Sequence, residues 1–205
     1  LKIGLYGDID EDADESVHQF RVYCLDKKTG KIIWNYLAHE GVPITKRHTK
    51  SSHANPTPAT DGKHLLVFFG SEGLYCLDLD GKLLWKKDLG RLNAGPYNMP
   101  EIEWGMAASP VIYKDKVVIQ ADVVEQSFLA CFDIHSGDEL WRSNRDEIAS
   151  WGSPNVYDDG DPVQVIVNGW KHMGGYNIEN GEEIWKMSGG GDAPSTTPIV
   201  AHDHF

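Results

Sequence analysis

Cysteine is scarce in this sequence, with three residues in 205 and no two of them adjacent. Basic residues are also few: 19 Lys and Arg stand against 31 Asp and Glu, a net charge of −12. That balance argues against nucleic-acid binding, which needs a basic stripe. No apolar run approaches the ~20 residues of a membrane-spanning helix; the longest lies near "LLVFF" at 65–69. Apolar residues nowhere recur at helical spacing over a useful length. The chain opens on Leu1 with no basic-then-apolar leader, so it reads as an internal piece of something longer. Apolar residues make up 40% and charged residues 24%, ordinary values for a folded chain.

What the sequence does contain is a repeat. Residues 24–34 read "CLDKKTGKIIW", 76–85 "CLDLDGKLLW", 131–141 "CFDIHSGDELW" and 175–185 "GYNIENGEEIW". The tryptophans Trp34, Trp85, Trp141 and Trp185 are spaced by 51, 56 and 44 residues. Each follows a glycine by four positions: Gly30, Gly81, Gly137 and Gly181. Thr29, Asp80, Ser136 or Asn180 precedes the glycine, and short apolar runs flank the turn, the pattern of a β-hairpin. Upstream, Pro56, Pro110, Pro154 and Pro198 are each followed five residues later by Asp61, Asp115, Asp159 or Asp203, and then by a further apolar run in the first three copies. Each unit thus holds four short strands, A to D, with tight A–B and C–D turns.

Four-stranded units at this period predict an all-β fold, a partial β-propeller of antiparallel blades. The expected organisation is one incomplete domain over 1–205. It comprises a partial blade at 1–37, blades at about 54–89, 108–143 and 152–187, and the first strand of another at 196–205.

The hairpin string resembles the tryptophan-docking motif of quinoprotein propellers, roughly Ala-x-Asp-x-x-Thr-Gly-x-x-x-Trp. Residues 24–34 match it with Cys24 for Ala, and with Asp26, Thr29, Gly30 and Trp34. The second copy is one residue short, with Asp78 three before its glycine. The chain is therefore similar to the pyrroloquinoline quinone-like (PQQ-like) repeat family of bacteria. That resemblance implies a whole protein of roughly seven or eight blades, with each tryptophan packed on the glycine turn of the next blade. It also implies an exported protein, periplasmic or extracellular, since the family includes the propeller lipoprotein of outer-membrane β-barrel assembly.

Several residues stand outside the repeat's structural marks. Cys24, Cys76 and Cys131 share one repeat position, where the fourth copy has Gly175, and read as small strand residues with no disulfide partner. "DIDEDADE" at 8–15 spaces Asp8, Asp10, Asp12 and Asp14 like a calcium loop, but lacks the glycine and glutamate such loops need. It reads as a solvated acidic insertion, with weak calcium binding as the alternative. In "HDH" at 202–204 the histidines flank an A–B turn and read as structural rather than metal ligands.

Propeller geometry sends D–A and B–C connections to one face. The two longest D–A spans and the acidic B–C insertion gather there, which marks a binding side. Candidates for contact with a ligand or partner on that face are His48, His53, Glu103, Trp104, Trp151, Trp170, Asp192 and Ser195. The reading from sequence is a non-catalytic binding or scaffold module that needs no cofactor and contacts a protein partner or small ligand, alongside the remaining blades. The alternative the resemblance implies is an alcohol or sugar dehydrogenase using PQQ and calcium. No vicinal cysteine pair and no mappable calcium-carboxylate set supports that alternative here.

Overall fold

The computed structural model describes residues 16–48, 50–159, 161–189, 191, 193–201 and 204. Its regular structure is β-strand, with two single 3-10 turns at Gly70–Glu72 and Pro100–Ile102. A hairpin, β1 (His18–Leu25) and β2 (Ile32–Gly41), comes first. Three four-stranded antiparallel sheets follow. The first holds β3 (Ala59–Thr60), β4 (His64–Phe68), β5 (Leu74–Asp78) and β6 (Leu83–Lys87). The second holds β7 (Val111–Tyr113), β8 (Lys116–Ala121), β9 (Phe128–Asp133) and β10 (Glu139–Asn144). The third holds β11 (Asn155–Tyr157), β12 (Gln164–Asn168), β13 (His172–Asn177) and β14 (Glu183–Ser188). In each sheet the strands lie in chain order, so these are blades of a partial β-propeller. The opening hairpin has the C–D pattern, and β2 continues past residue 37 to Gly41.

The strands are placed by alternation. In β8 and β9 nearly every residue is buried, because a blade has a neighbour on both faces. The outermost strands β6, β10 and β14 alternate or face solvent. The short A strands β3, β7 and β11 touch one another across sheets and so line the inner side. Just ahead of them the Thr57 N–H donates to the Ser109 hydroxyl at 2.9 Å, and the Ser109 N–H to the Ser153 hydroxyl at 2.8 Å.

Blade is joined to blade at the hairpin. Cys24, Cys76, Cys131 and Gly175 pair across the C–D ladder with Trp34, Trp85, Trp141 and Trp185, and a bulge follows at the same place each time. Three of these indoles cross to the next sheet. Trp34 donates to the Leu79 carbonyl at 2.9 Å, Trp85 to Ile134 at 2.7 Å and Trp141 to Ile178 at 2.9 Å. Each ring lies on that sheet's turn glycine. A Cβ at Gly81 would stand 2.7 Å from Trp34, and one at Gly137 2.7 Å from Trp85. Both glycines also have positive φ, 84° and 73°, which side-chain-bearing residues rarely adopt.

The shortened second turn keeps this contact. The Gly81 N–H closes on Asp78 instead of a residue four back, and the indole takes the carbonyl two before the glycine instead of three. Trp185 behaves differently: its ring lies over Gly175 of its own sheet and its N–H donates to the Gln164 side chain at 2.7 Å. A cysteine at 175, as in the other copies, would overlap that ring.

The three cysteines are free thiols. Burial pushes Cys76 and Cys131 up to about 12. Their folded values exceed the ordinary thiol value, so below that value neither affects pH dependence; the stability they contribute is lost as pH rises toward 12. A thiol reagent at mildly alkaline pH should therefore label Cys24 faster than the other two in the native chain, with all three reacting in urea. Equal native rates would contradict the burial.

Truncating an indole that welds two sheets should be costly. Trp141→Ala should destabilise by about 3–5 kcal/mol in denaturant melts, whereas Trp170→Ala, on a half-buried turn, should cost much less. Equal costs would mean the tryptophans do not carry the blade contacts.

Candidate functional site

Hydrogen bonds sort the loops into two faces. On one, A–B and C–D turns meet: the Ile134 N–H donates to Asp115 and the Ile178 N–H to Val163, at 2.8 and 3.1 Å. On the other, D–A and B–C connections meet: the Val124 N–H donates to Asn93 at 2.8 Å and the Arg145 N–H to Ser127 at 2.9 Å. The second face carries the long connections.

Its floor is a buried charged cluster between the second and third sheets. Arg145, just past β10, pairs through Nε with Asp122 at 2.8 Å, with Glu147 3.7 Å from Nη2. Its Nη1 donates to the Tyr176 hydroxyl on β13 at 3.1 Å. Asp122 also accepts from Gln120 at 2.8 Å and Ser150 at 2.7 Å. Glu147 accepts the Lys171 and His172 N–H groups, both at 2.8 Å, and so clasps the B–C turn of the next sheet. Burial would lower the Arg145 pKa, but Asp122 and its neighbours raise it overall. Burial pushes Tyr176 up to about 12.

A second clamp joins the first two D–A connections. Glu103 accepts the Lys46 N–H at 2.9 Å and pairs with Arg91. Arg91 also reaches the Ile44 carbonyl at 2.9 Å. Glu72 takes the Ile44 N–H at 2.9 Å, and burial raises its pKa. Glu103 has φ of 51°, a strained value for a side-chain-bearing residue. It sets Trp104 against His48 at 5.2 Å and against Trp151 at 5.5 Å between ring centroids. The Trp151 N–H donates to the Gly105 carbonyl at 2.9 Å.

The sequence-selected residues therefore divide. His48, Glu103, Trp104 and Trp151 come together. His53 lies apart, against His18 and Phe20 at 5.5 and 5.8 Å, beside a hollow of about 570 Å³ along β1. Trp170 sits on the β12–β13 turn against Tyr97 at 5.9 Å, and Ser195 is exposed. Asp8, Asp10, Asp12, Asp14, Asp192, His202 and Asp203 lie outside the described residues. Sequence reasoning passed over Arg91, Tyr97, Asp122, Arg145 and Glu147, which sit in irregular connections with no repeat phase. The one available signal was the charged run "NRDE" directly after a strand.

Calcium needs oxygen ligands with free lone pairs, and a quinone site needs that cation plus a carboxylate base. Among the described residues the buried carboxylates here do not fit those roles. Asp122, Glu147 and Glu103 already accept from arginine, side-chain or backbone donors at both oxygens, and Glu72 stands alone with one N–H on it. No group of three or more His, Cys, Asp or Glu among the described residues is arranged to hold a metal ion.

Arg145 balances two buried carboxylates, so Arg145→Met should cost about 3–5 kcal/mol by leaving them unpaired. Arg142→Met, which breaks a more exposed pair with Glu139, should cost less than about 1 kcal/mol. Urea melts of both variants measure the difference, and similar losses would show that the buried cluster does not hold the sheets together.

Residues 18–201 match the model of a family described as outer membrane protein assembly factor BamB. Solved structures share the fold. BamB from Moraxella catarrhalis superposes with a TM-score of 0.54 at 20% identity, over 82% of this chain and 46% of its own. A europium-containing methanol dehydrogenase gives 0.57 at 15%, over 88% and 40%. The quinohemoprotein alcohol dehydrogenase ADHIIG from Pseudomonas putida HK5 gives 0.56 at 16%, over 84% and 32%. The chain thus spans less than half the length of each of these structures. No curated protein matches the sequence.

Proposed function

The chain belongs to the PQQ-like repeat propeller family of outer membrane protein assembly factor BamB, and from that footing we propose that it is a non-catalytic binding or scaffold module. It acts through protein–protein contacts in the bacterial cell envelope, in the periplasm or outside the cell, and the D–A and B–C face carries the contact. One observation carries this reading: among the described residues, three of the four buried carboxylates of that face, Asp122, Glu147 and Glu103, accept internal donors at both oxygens. They hold long connections in a fixed shape instead of waiting for a cation or a substrate proton. A rigid loop face on a repeat scaffold is what partner recognition uses.

The second reading is a PQQ- and calcium-dependent alcohol or sugar dehydrogenase. It draws on the adjacent rings of Trp104 and Trp151, where a flat cofactor would stack. The internal bonding of Asp122, Glu147 and Glu103 argues for the first reading. Adding PQQ and calcium to the protein and following dye reduction with primary alcohols and aldoses separates the two. The expected outcome is a blank rate; stoichiometric quinone binding with dye reduction above blank would overturn the scaffold reading.

A further inference from the structure

Two aromatic rings on the loop face are held outward by backbone that is itself clamped. Tyr97 is 66% exposed and stands in a turn closed by the Met99 N–H on the Pro96 carbonyl at 3.0 Å. Its connection is pinned on both sides. The Asn93 N–H donates to Glu125 at 3.1 Å, the Asn93 amide to the Pro100 carbonyl at 2.9 Å, and Arg91 pairs with Glu103. Trp170 stands at the tip of the turn that Glu147 clasps through two N–H groups. The two rings lie 5.9 Å apart between centroids, tilted by 42°. A ring from the connection ahead of the second sheet thus meets a ring from a turn of the third. An exposed Tyr and a half-buried Trp on fixed backbone are residue types that anchor protein interfaces.

The surroundings are acidic. Segments 91–104, 122–126, 145–147 and 170–172 are joined by the bonds above, and they hold six carboxylates against three Lys and Arg. Arg145 is buried in its cluster, while Arg91 and Lys171 are already paired. Asp146 pairs with Lys171 and Glu125 with Arg91, yet the Asp146 side chain stays 80% exposed and that of Glu125 39%, and the segments keep a surplus of carboxylates over cations. Both also line an open hollow of about 420 Å³, together with Val124, Gln126 and Asn144. Negative charge beside aromatic faces attracts a cation, and a planar guanidinium stacks on such rings better than an ammonium does.

We propose that Tyr97 and Trp170, with the Asp146–Glu125 rim, form a docking site for a basic extended segment of a partner protein, an arginine side chain seated on the two rings. The site rests on the reading of the loop face as a partner surface, and it names the chemistry of that partner. The sign of the charge selects a basic peptide over a nucleic acid.

The probe is a short labelled peptide of Gly, Ser and Arg, titrated into the full chain at physiological salt, beside a peptide with citrulline in place of Arg. Saturable binding of the arginine peptide alone is expected. The Tyr97→Ala/Trp170→Ala double variant should lose at least ~10-fold in affinity. Asp146→Asn should weaken binding less and flatten its salt dependence. Both rings are on the surface, so unchanged melts will show that the double variant is folded, and Tyr97→Phe should bind nearly as the parent does. Equal affinity in the double variant would reduce the effect to bulk electrostatics and overturn the site. So would equal binding of the citrulline peptide, or no saturable binding at all. Dye reduction reports on the scaffold reading separately: turnover with intact peptide binding removes that reading and keeps the site, while a blank rate with no peptide binding does the reverse.

Discussion

An indole lying on a glycine turn, with its N–H on a nearby carbonyl, is the contact the rest of this structure depends on. A single blade has two apolar faces and cannot bury both. The contact between Trp85 and the 133–137 turn closes one such face over a shared core that runs from Leu66 and Phe68 to Ile119 and Phe132. Because the ring needs a glycine beneath it and a carbonyl at reach, it also sets the angle at which the next sheet arrives. The register follows: the residue opposite each tryptophan must be small, and it is cysteine or glycine.

This weld sits on one face of the propeller, and that division organises the other. The D–A and B–C connections are released from holding the hairpins together. They are held instead by charge, through Arg145 between Asp122 and Glu147 and through Arg91 with Glu103. Buried pairs of this kind contribute little net stability relative to apolar packing, but they fix one arrangement once formed. The loop face therefore has a definite shape with exposed aromatic and acidic groups, a combination suited to recognition.

The blade pattern was legible because a hairpin weld writes its needs locally: Gly137, Trp141 and Asp133 fall within one short string and recur in phase. Strand order was legible from the Pro–Asp pairs that open each unit. The loop face was legible in outline, and His48, Glu103, Trp104 and Trp151 do come together there. The Arg145 cluster was not, because Asp122, Arg145, Glu147 and Tyr176 come from separate connections and strands with no common period. The Tyr97–Trp170 contact was likewise invisible, since only the folded path of a long connection brings residue 97 over the third sheet. Gly175 looked like a simple exchange for cysteine. In the structure it is also the place where Trp185 rests on the neighbouring strand of its own sheet.

The innermost strands carry a further consequence. A strand at a sheet edge is a template on which another chain can grow, and open sheets invite that growth. Here β3 and β7 are only two and three residues long. The backbone amides of Thr57 and Ser109 ahead of them are already taken by serine hydroxyls of the neighbouring sheet. An invading strand would find little exposed ladder along these two edges. The inner edges of the first two four-stranded sheets are thus guarded against edge-to-edge polymerisation, by two hydroxyl groups and by strands too short to copy.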